Sequence, residues 1–322
     1  MNAHAPTLPV PRNTSSLLVL RDGATVLELG DTTRASYIAS VRKSLFSILF
    51  GIQVAAGRVS LDTTLGDLAI DDVGGLLPIE RTARLRDLLT SRSGVYHAPS
   101  SPGSDEHAFP ARGTRTPGQY FLYNNWDFNA AGAIFEEISG LTVFDAFEKH
   151  LAGPLGFEDY EATRQLMLGD AGKSAFPAYH LFLSARDLAK IGLLMSAEGR
   201  WEDRQLVPRE WIRESVSAHV RRAEMAPATG FGNCDYGYLW WLPREGNPEW
   251  EGAFMAAGNY GQFLLVLPAI GSVIVHRRFV SDHFAIARNT GMPAASTEAP
   301  APVTHAEFMQ LARALVDGPL GR

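Results

Sequence analysis

Apolar residues along this chain keep two different periods. Leu17–Leu20 and Thr25–Leu29 are short apolar runs joined by Arg21-Asp22-Gly23, the pattern of a β-hairpin around an Asp-Gly turn. From Val41 to Ala56 the spacing changes: Val41, Leu45, Ile48, Leu49 and Ile52 share one helical face, and Gly57 ends the run.

Residues 60–220 carry mostly helical patterns broken by loops. A short helix is expected over Arg84–Leu89, a longer one over Trp126–Ser139 before Gly140, and another over Val143–Leu151. Ser184 reads as the N-cap of Ala185–Glu198, and Pro208 opens a helix around Trp211 and Ile212. After residue 230 the pattern turns to strands at Tyr236–Leu242, Gln262–Leu267 and Ser272–Arg277, with Pro268–Gly271 as the turn between the last two. Gly291–Val303 reads as a surface loop, and Thr304 caps a final helix with Phe308, Leu311 and Leu315 on one face.

Strands at both ends with helices between them predict an α+β fold, an antiparallel sheet flanked by helices with a mostly helical lobe inserted. The expected division is a flexible tail over residues 1–14 and one domain over 15–322. Its α/β part spans about 15–59 and 221–322, and its helical lobe about 60–220. Sites commonly lie in the cleft between such parts.

Composition narrows the function. A chain of 322 residues, 46% hydrophobic, can bury a large core. A net charge of -6 without like-charge runs gives no footprint for nucleic acid. No apolar stretch approaches the roughly 20 residues of a membrane span, and residues 1–16 lack the apolar segment of a secretory signal. The expectation is a soluble cytoplasmic protein that acts on a small molecule, its oligomeric state left open. Cys234 is the only cysteine, and the scattered histidines form no His-Glu-x-x-His, so neither metal nor cofactor is implied. Lysine is scarce: Lys43, Lys149, Lys173 and Lys190 are the whole set.

That scarcity makes Ser40-Val41-Arg42-Lys43 conspicuous. A serine hydroxyl needs a base beside it at neutral pH. Three residues on at a helix start, Lys43 can reach back to Ser40, while Arg42 points elsewhere. The helix N-terminus offers N–H groups to an oxyanion, and a lysine desolvated there could act as base. Tyr123-Asn124-Asn125, before the helix from Trp126, is a second candidate: a tyrosine near a lysine can relay a proton, and an asparagine can hold a carbonyl or the lysine. An ordinary capping Asn beside a packed aromatic is the competing reading. The third is Ala256-Ala257-Gly258-Asn259-Tyr260-Gly261-Gln262, where glycines let backbone approach a ligand and an N–H could complete an oxyanion hole. A plain strand entry would look the same. The long loop from Tyr96 to Gly118 is a candidate functional loop.

Together these segments resemble the signature of the penicillin-binding protein and serine β-lactamase superfamily: Ser-x-x-Lys, then Tyr-x-Asn, then a Lys-Thr-Gly-type element before a core strand. Leu88–Val95 is similar to a turn that these proteins carry beside the active site, and Tyr123–Ala130 and Leu183–Leu188 are similar to the class C β-lactamase, esterase and 6-aminohexanoate-dimer hydrolase branch. The resemblance implies a β-lactamase/transpeptidase-like fold and a hydrolase of esters or amides. Ser40 would be acylated, with Lys43 as its base and Tyr123 as proton relay. Asn125 would orient Lys43 and substrate, and the N–H groups of Ser40 and Asn259, beside Gly258, would form the oxyanion hole. The loop bearing Tyr96, His97 and His107 would shape specificity.

One position departs from the family. Where β-lactamases and D,D-peptidases carry a cation that meets the substrate carboxylate, this chain has Ala256. Neutral esters or amides are therefore favoured, unless Arg92, Arg112 or Arg115 supplies the charge. No Gly-x-Ser-x-Gly elbow is present, and Gly172-Lys173-Ser174 lacks the glycine of a phosphate-binding loop. An acyltransferase on the same scaffold, a β-lactamase or D-aminopeptidase type of hydrolase, and a non-catalytic sensor module remain as alternatives.

Overall fold

The computed structural model describes residues 8–101, 108–225, 231–290 and 301–318. Strands β1 (Ser16–Arg21) and β2 (Ala24–Gly30) form the expected hairpin. Asp22 and Gly23 both take positive φ (49° and 79°), the primed turn that matches strand twist. They join β9 (Cys234–Tyr236), β10 (Trp241–Pro243), β11 (Phe254–Gly258), β12 (Gln262–Leu267) and β13 (Ser272–Arg277) in one antiparallel sheet of order β2-β1-β13-β12-β11-β10-β9. Three two-stranded pieces lie outside it: β3 (Ser36–Tyr37) with β6 (Phe182–Leu183), β4 (Leu166–Leu168) with β5 (Ala178–His180), and β7 (Arg200–Trp201) with β8 (Arg204–Gln205).

Eight helices are described: α1 (Val41–Ala55), α2 (Leu85–Leu89), α3 (Asn125–Ser139), α4 (Val143–Phe147), α5 (Ala185–Ser196), α6 (Arg209–Ser215), α7 (Asp282–Thr290) and α8 (His305–Asp317). Period-two alternation decides which helix covers which sheet face. Leu18, Leu20, Leu264, Val266, Val273 and Val275 pack with α1 and α5 in the larger core. Leu17, Val19, Phe263, Leu265, Leu267 and Ile274 face the other way, onto Phe308, Leu311 and Leu315 of α8. Each such buried side chain contributes about 1.5–3 kcal/mol. Against the far side of α1 the ring of Trp211 lies so close that a Cβ on Gly51 would meet it at 2.1 Å, so only glycine fits there.

The segment expected as a tail is packed where it is described. Leu8 and Val10 rest on the α8 core, and Thr14 hydrogen-bonds His276 at 2.9 Å. Residues 1–7 lie outside the described residues, as do 291–300 of the expected surface loop. The strand expected over Tyr236–Leu242 is instead two strands, because Leu239 turns to φ 65°. Its carbonyl takes a hydrogen bond from Ser44 at 2.5 Å, and its N–H reaches Leu89. The helix expected over Val143–Leu151 is α-helical to Phe147 and widens to a π turn over Glu148–Ala152.

Candidate active site

The approach to α1 is tightly held. Arg277, 3% exposed on β13, donates to the carbonyls of Leu183, Ser36 and Tyr37 and to the Ser36 hydroxyl, pinning the strands just before Ser40. Ala39 then adopts φ 49°, a left-handed conformation that costs a non-glycine residue about 1–3 kcal/mol. Such stored strain marks a position the surrounding structure overdetermines. Ser40 follows as the N-cap residue of α1, yet its side chain makes no capping bond, so its hydroxyl faces the site.

Lys43 lies one turn on and only 2% exposed. Its Nζ donates to Ser40 Oγ at 3.1 Å, Tyr123 Oη at 3.0 Å and Asn125 Oδ1 at 2.6 Å. It also stands 4.3 Å from the Tyr123 ring centroid and 4.2 Å from that of Phe128. Arg42 turns away, over the ring of Tyr179 at 4.4 Å.

Tyr123 and Asn125 come from the entry to α3. Between them Asn124 caps that helix, its Oδ1 accepting the Trp126 N–H at 3.1 Å. The Tyr123 ring is wedged between Phe128 (4.8 Å) and Trp241 of β10, stacked at 5.6 Å and 28°. The third segment ends β11. A Cβ on Gly258 would stand 2.9 Å from the Ser40 nitrogen, so this strand passes directly against the backbone of Ser40. Asn259 is exposed in the following turn, and Tyr260 takes φ 70°. Ala256 is fully buried in the core beneath α1.

Ser40, Lys43, Tyr123 and Asn125 are thus gathered around one nitrogen, with Gly258 beside them. Tyr96 is not part of this cluster. It is 6% exposed against Phe109, its phenol raised chiefly by burial and further by the charge of Asp127. The His97 ring nitrogens stand 3.0 and 2.7 Å from the carbonyls of Ala98 and Val73, and His107 lies outside the described residues. Of the alternative cations, Arg92 is paired with Glu224 at 2.8 Å, Arg112 grips Glu80 with two nitrogens, and Arg115 lies over the Tyr120 ring. Burial, then Arg42 and Lys43, push His180 well below its usual range, so it stays neutral beside the site. Among the described residues no group of three His, Cys, Asp or Glu side chains could hold a metal ion, and no helix is long and apolar enough to cross a membrane.

Sequence reasoning did not assign Ala39, Trp241 or Arg277 to this site, and it read Asn124 only within the Tyr123-Asn124-Asn125 segment, with helix capping as the competing role. Only Asn124 carried a signal, the Asn-x-x-Asp spacing of a helix start.

The β-lactamase family model matches residues 12–276 of the chain. The fold is similar to that of a candidate 6-aminohexanoate-dimer hydrolase from Bacillus anthracis (TM-score 0.65, 19% identity, covering 95% of this chain and 80% of that one). It is also similar to a candidate β-lactamase from Bacteroides dorei DSM 17855 (0.64, 18%, 92% of each chain). A penicillin-binding protein from Bacillus halodurans matches at 0.60 and 18%, covering 83% of this chain and 93% of that one.

Proposed function

This chain belongs to the β-lactamase family, and from that premise we propose that it hydrolyses small neutral esters or amides through an acyl-enzyme on Ser40. The observation that carries the reading is Lys43 Nζ within hydrogen-bonding distance of Ser40, Tyr123 and Asn125 at once. A nucleophile, a base and a relay that share one nitrogen can pass a proton without a diffusing carrier.

In the proposed cycle Ser40 Oγ attacks the substrate carbonyl and gives its proton to the Lys43–Tyr123 pair. The backbone N–H groups of Ser40 and Asn259 receive the oxyanion. Collapse of the tetrahedral intermediate breaks the bond to the alcohol or amine, which leaves with the proton delivered by Tyr123. Water then yields a proton to the same pair, adds to the acyl carbon and releases the acid, and Ser40 regains its hydrogen.

Neutral substrates are favoured because Ala256 is buried and uncharged while Arg92 and Arg112 are already held by carboxylates. The test is intact-protein mass spectrometry after treatment with a fluorophosphonate, followed by peptide mapping. The expected result is one label, on Ser40, absent from Ser40→Ala. A label elsewhere, or full esterase activity in Ser40→Ala, would overturn the reading.

A further inference from the structure

We infer that Asn124 is a positioning residue that holds Tyr123 and Asn125, its two chain neighbours, against Lys43. The inference rests on the reading of Ser40, Lys43 and Tyr123 as one catalytic unit. Asn124 is 1% exposed, and both ends of its amide are engaged. Oδ1 accepts the Trp126 N–H, while Nδ2 donates to the Val95 carbonyl at 2.6 Å and to Asp127 Oδ1 at 3.0 Å. The same Asp127 oxygen accepts the Ser93 hydroxyl at 2.5 Å, and Ser93 Oγ in turn accepts the Val95 N–H at 3.0 Å. Asn124, Val95, Ser93 and Asp127 therefore close a ring of hydrogen bonds inside the protein. One residue before Tyr123, the Leu122 N–H adds a tie to the Ser91 carbonyl at 2.9 Å.

The geometric consequence falls on the lysine. Asn124 is extended (φ -117°, ψ 114°), and in extended backbone successive side chains point to opposite sides. The Asn124 amide enters the ring of hydrogen bonds, while Tyr123 and Asn125 on either side both reach Lys43, at 3.0 and 2.6 Å. Both lysine contacts hang on one short piece of backbone, and the ring fixes that piece. Asp127 is fully buried, and burial is the main reason its carboxyl is raised well above the usual range. The ring is closed off from bulk solvent, so a broken bond in it has no ready replacement. A displacement of about 1 Å at a reacting group can cost about a hundredfold in rate.

Asn124→Ser separates cap from tether. Serine still caps a helix but has no amide hydrogens for Val95 and Asp127. Ser93→Ala opens the same ring from its far side, and it carries the test if Asn124→Ser does not fold. Both variants are melted, then assayed with a p-nitrophenyl ester for kcat, KM and the pH–rate profile. The rate of fluorophosphonate labelling at Ser40 is followed in parallel. For Asn124→Ser the expected result is a fall in kcat of about ten- to a hundredfold with KM changed by less than about threefold. The acidic limb of the profile shifts, and labelling slows in step. Ser93→Ala moves the same readouts in the same direction by less. Lowered melting temperatures with kcat and profile unchanged in both variants would reduce Asn124 to an ordinary helix cap and overturn the inference. A wild-type protein that takes no label at Ser40 would overturn the functional reading itself, and this inference with it.

Discussion

A methyl group on Gly258 would stand 2.9 Å from the backbone nitrogen of Ser40 and 2.7 Å from the carbonyl of Ile38. Both neighbours are backbone, and both belong to a segment already pinned by Arg277 and strained at Ala39. The clash cannot be relieved by a side-chain rotation. Gly258→Ala should therefore move the Ser40 N–H and lower kcat/KM for an ester by about tenfold to a hundredfold. Circular dichroism and urea unfolding establish that the fold persists. Unchanged kcat/KM in a folded variant would remove this strand edge from the reaction.

Lys43 and Tyr123 should behave as one unit. Lys43→Ala and Tyr123→Phe each keep the Ser40 hydroxyl but remove the proposed base or relay, and each should lose roughly 10²–10⁴-fold in kcat. The double variant should be little worse than the poorer single one, since members of a unit are non-additive. Steady-state kinetics on the three proteins decide this. Additive losses would mean that the two side chains act in separate steps.

Substrate charge is the next discriminator. A short-chain p-nitrophenyl ester should exceed nitrocefin in kcat/KM by well over tenfold, a ratio that corresponds to only about 1.4 kcal/mol of transition-state discrimination. Nitrocefin turnover within that margin would show that some cation substitutes for the one missing at Ala256.

Stability should respond to acid through His276. This ring is fully buried, and burial pushes it down from 6.5 to about 4. Its hydrogen bonds suit the neutral form: Nδ1 donates to the Gly261 carbonyl at 2.8 Å, and Nε2 accepts from Thr14 at 2.9 Å. Below pH 6.5 the unfolded chain binds a proton that the folded chain refuses until about pH 4. The contribution is therefore complete above that window and is lost as pH falls through it, by on the order of 3 kcal/mol at most for one group. Asp127, raised by burial, works in the opposite sense, because its folded form keeps a proton that the unfolded chain releases. The measurement is consequently a difference: urea unfolding of wild type and His276→Asn at about pH 7, about pH 5.5 and about pH 4, which spans the window. Wild type should lose more stability than the variant on acidification. Parallel losses would sink the assignment.

Much of this fold was readable because its signals are local. The Asp22-Gly23 turn, the helical spacing from Val41 and the caps Ser184 and Thr304 each depend on residues within a few positions of one another. Ser40 and Lys43 share one helix face for the same reason. What escaped depends on partners distant in sequence. Leu239 bends a segment that looks like one strand because Ser44 and Leu89 hold its backbone. Trp241 stacks on Tyr123 only after the sheet has formed, and Arg277 reaches Ser36 across 241 positions. No window of neighbouring residues contains that information.

The adjacency of β1 and β13 also sets an order of events during synthesis. Ser16 pairs with Arg277, and the helix that begins at Ser40 packs on β11 and β12. Until those late strands leave the ribosome, α1 has no sheet to cover and the Ser40 segment has no Arg277 to pin it. With so many contacts between distant positions, final folding should be slow and largely post-translational. A nascent chain halted before β11 would display the serine and the lysine without the backbone that frames them. Reactivity in this protein should thus switch on late and all at once, so that an unfinished copy is chemically silent.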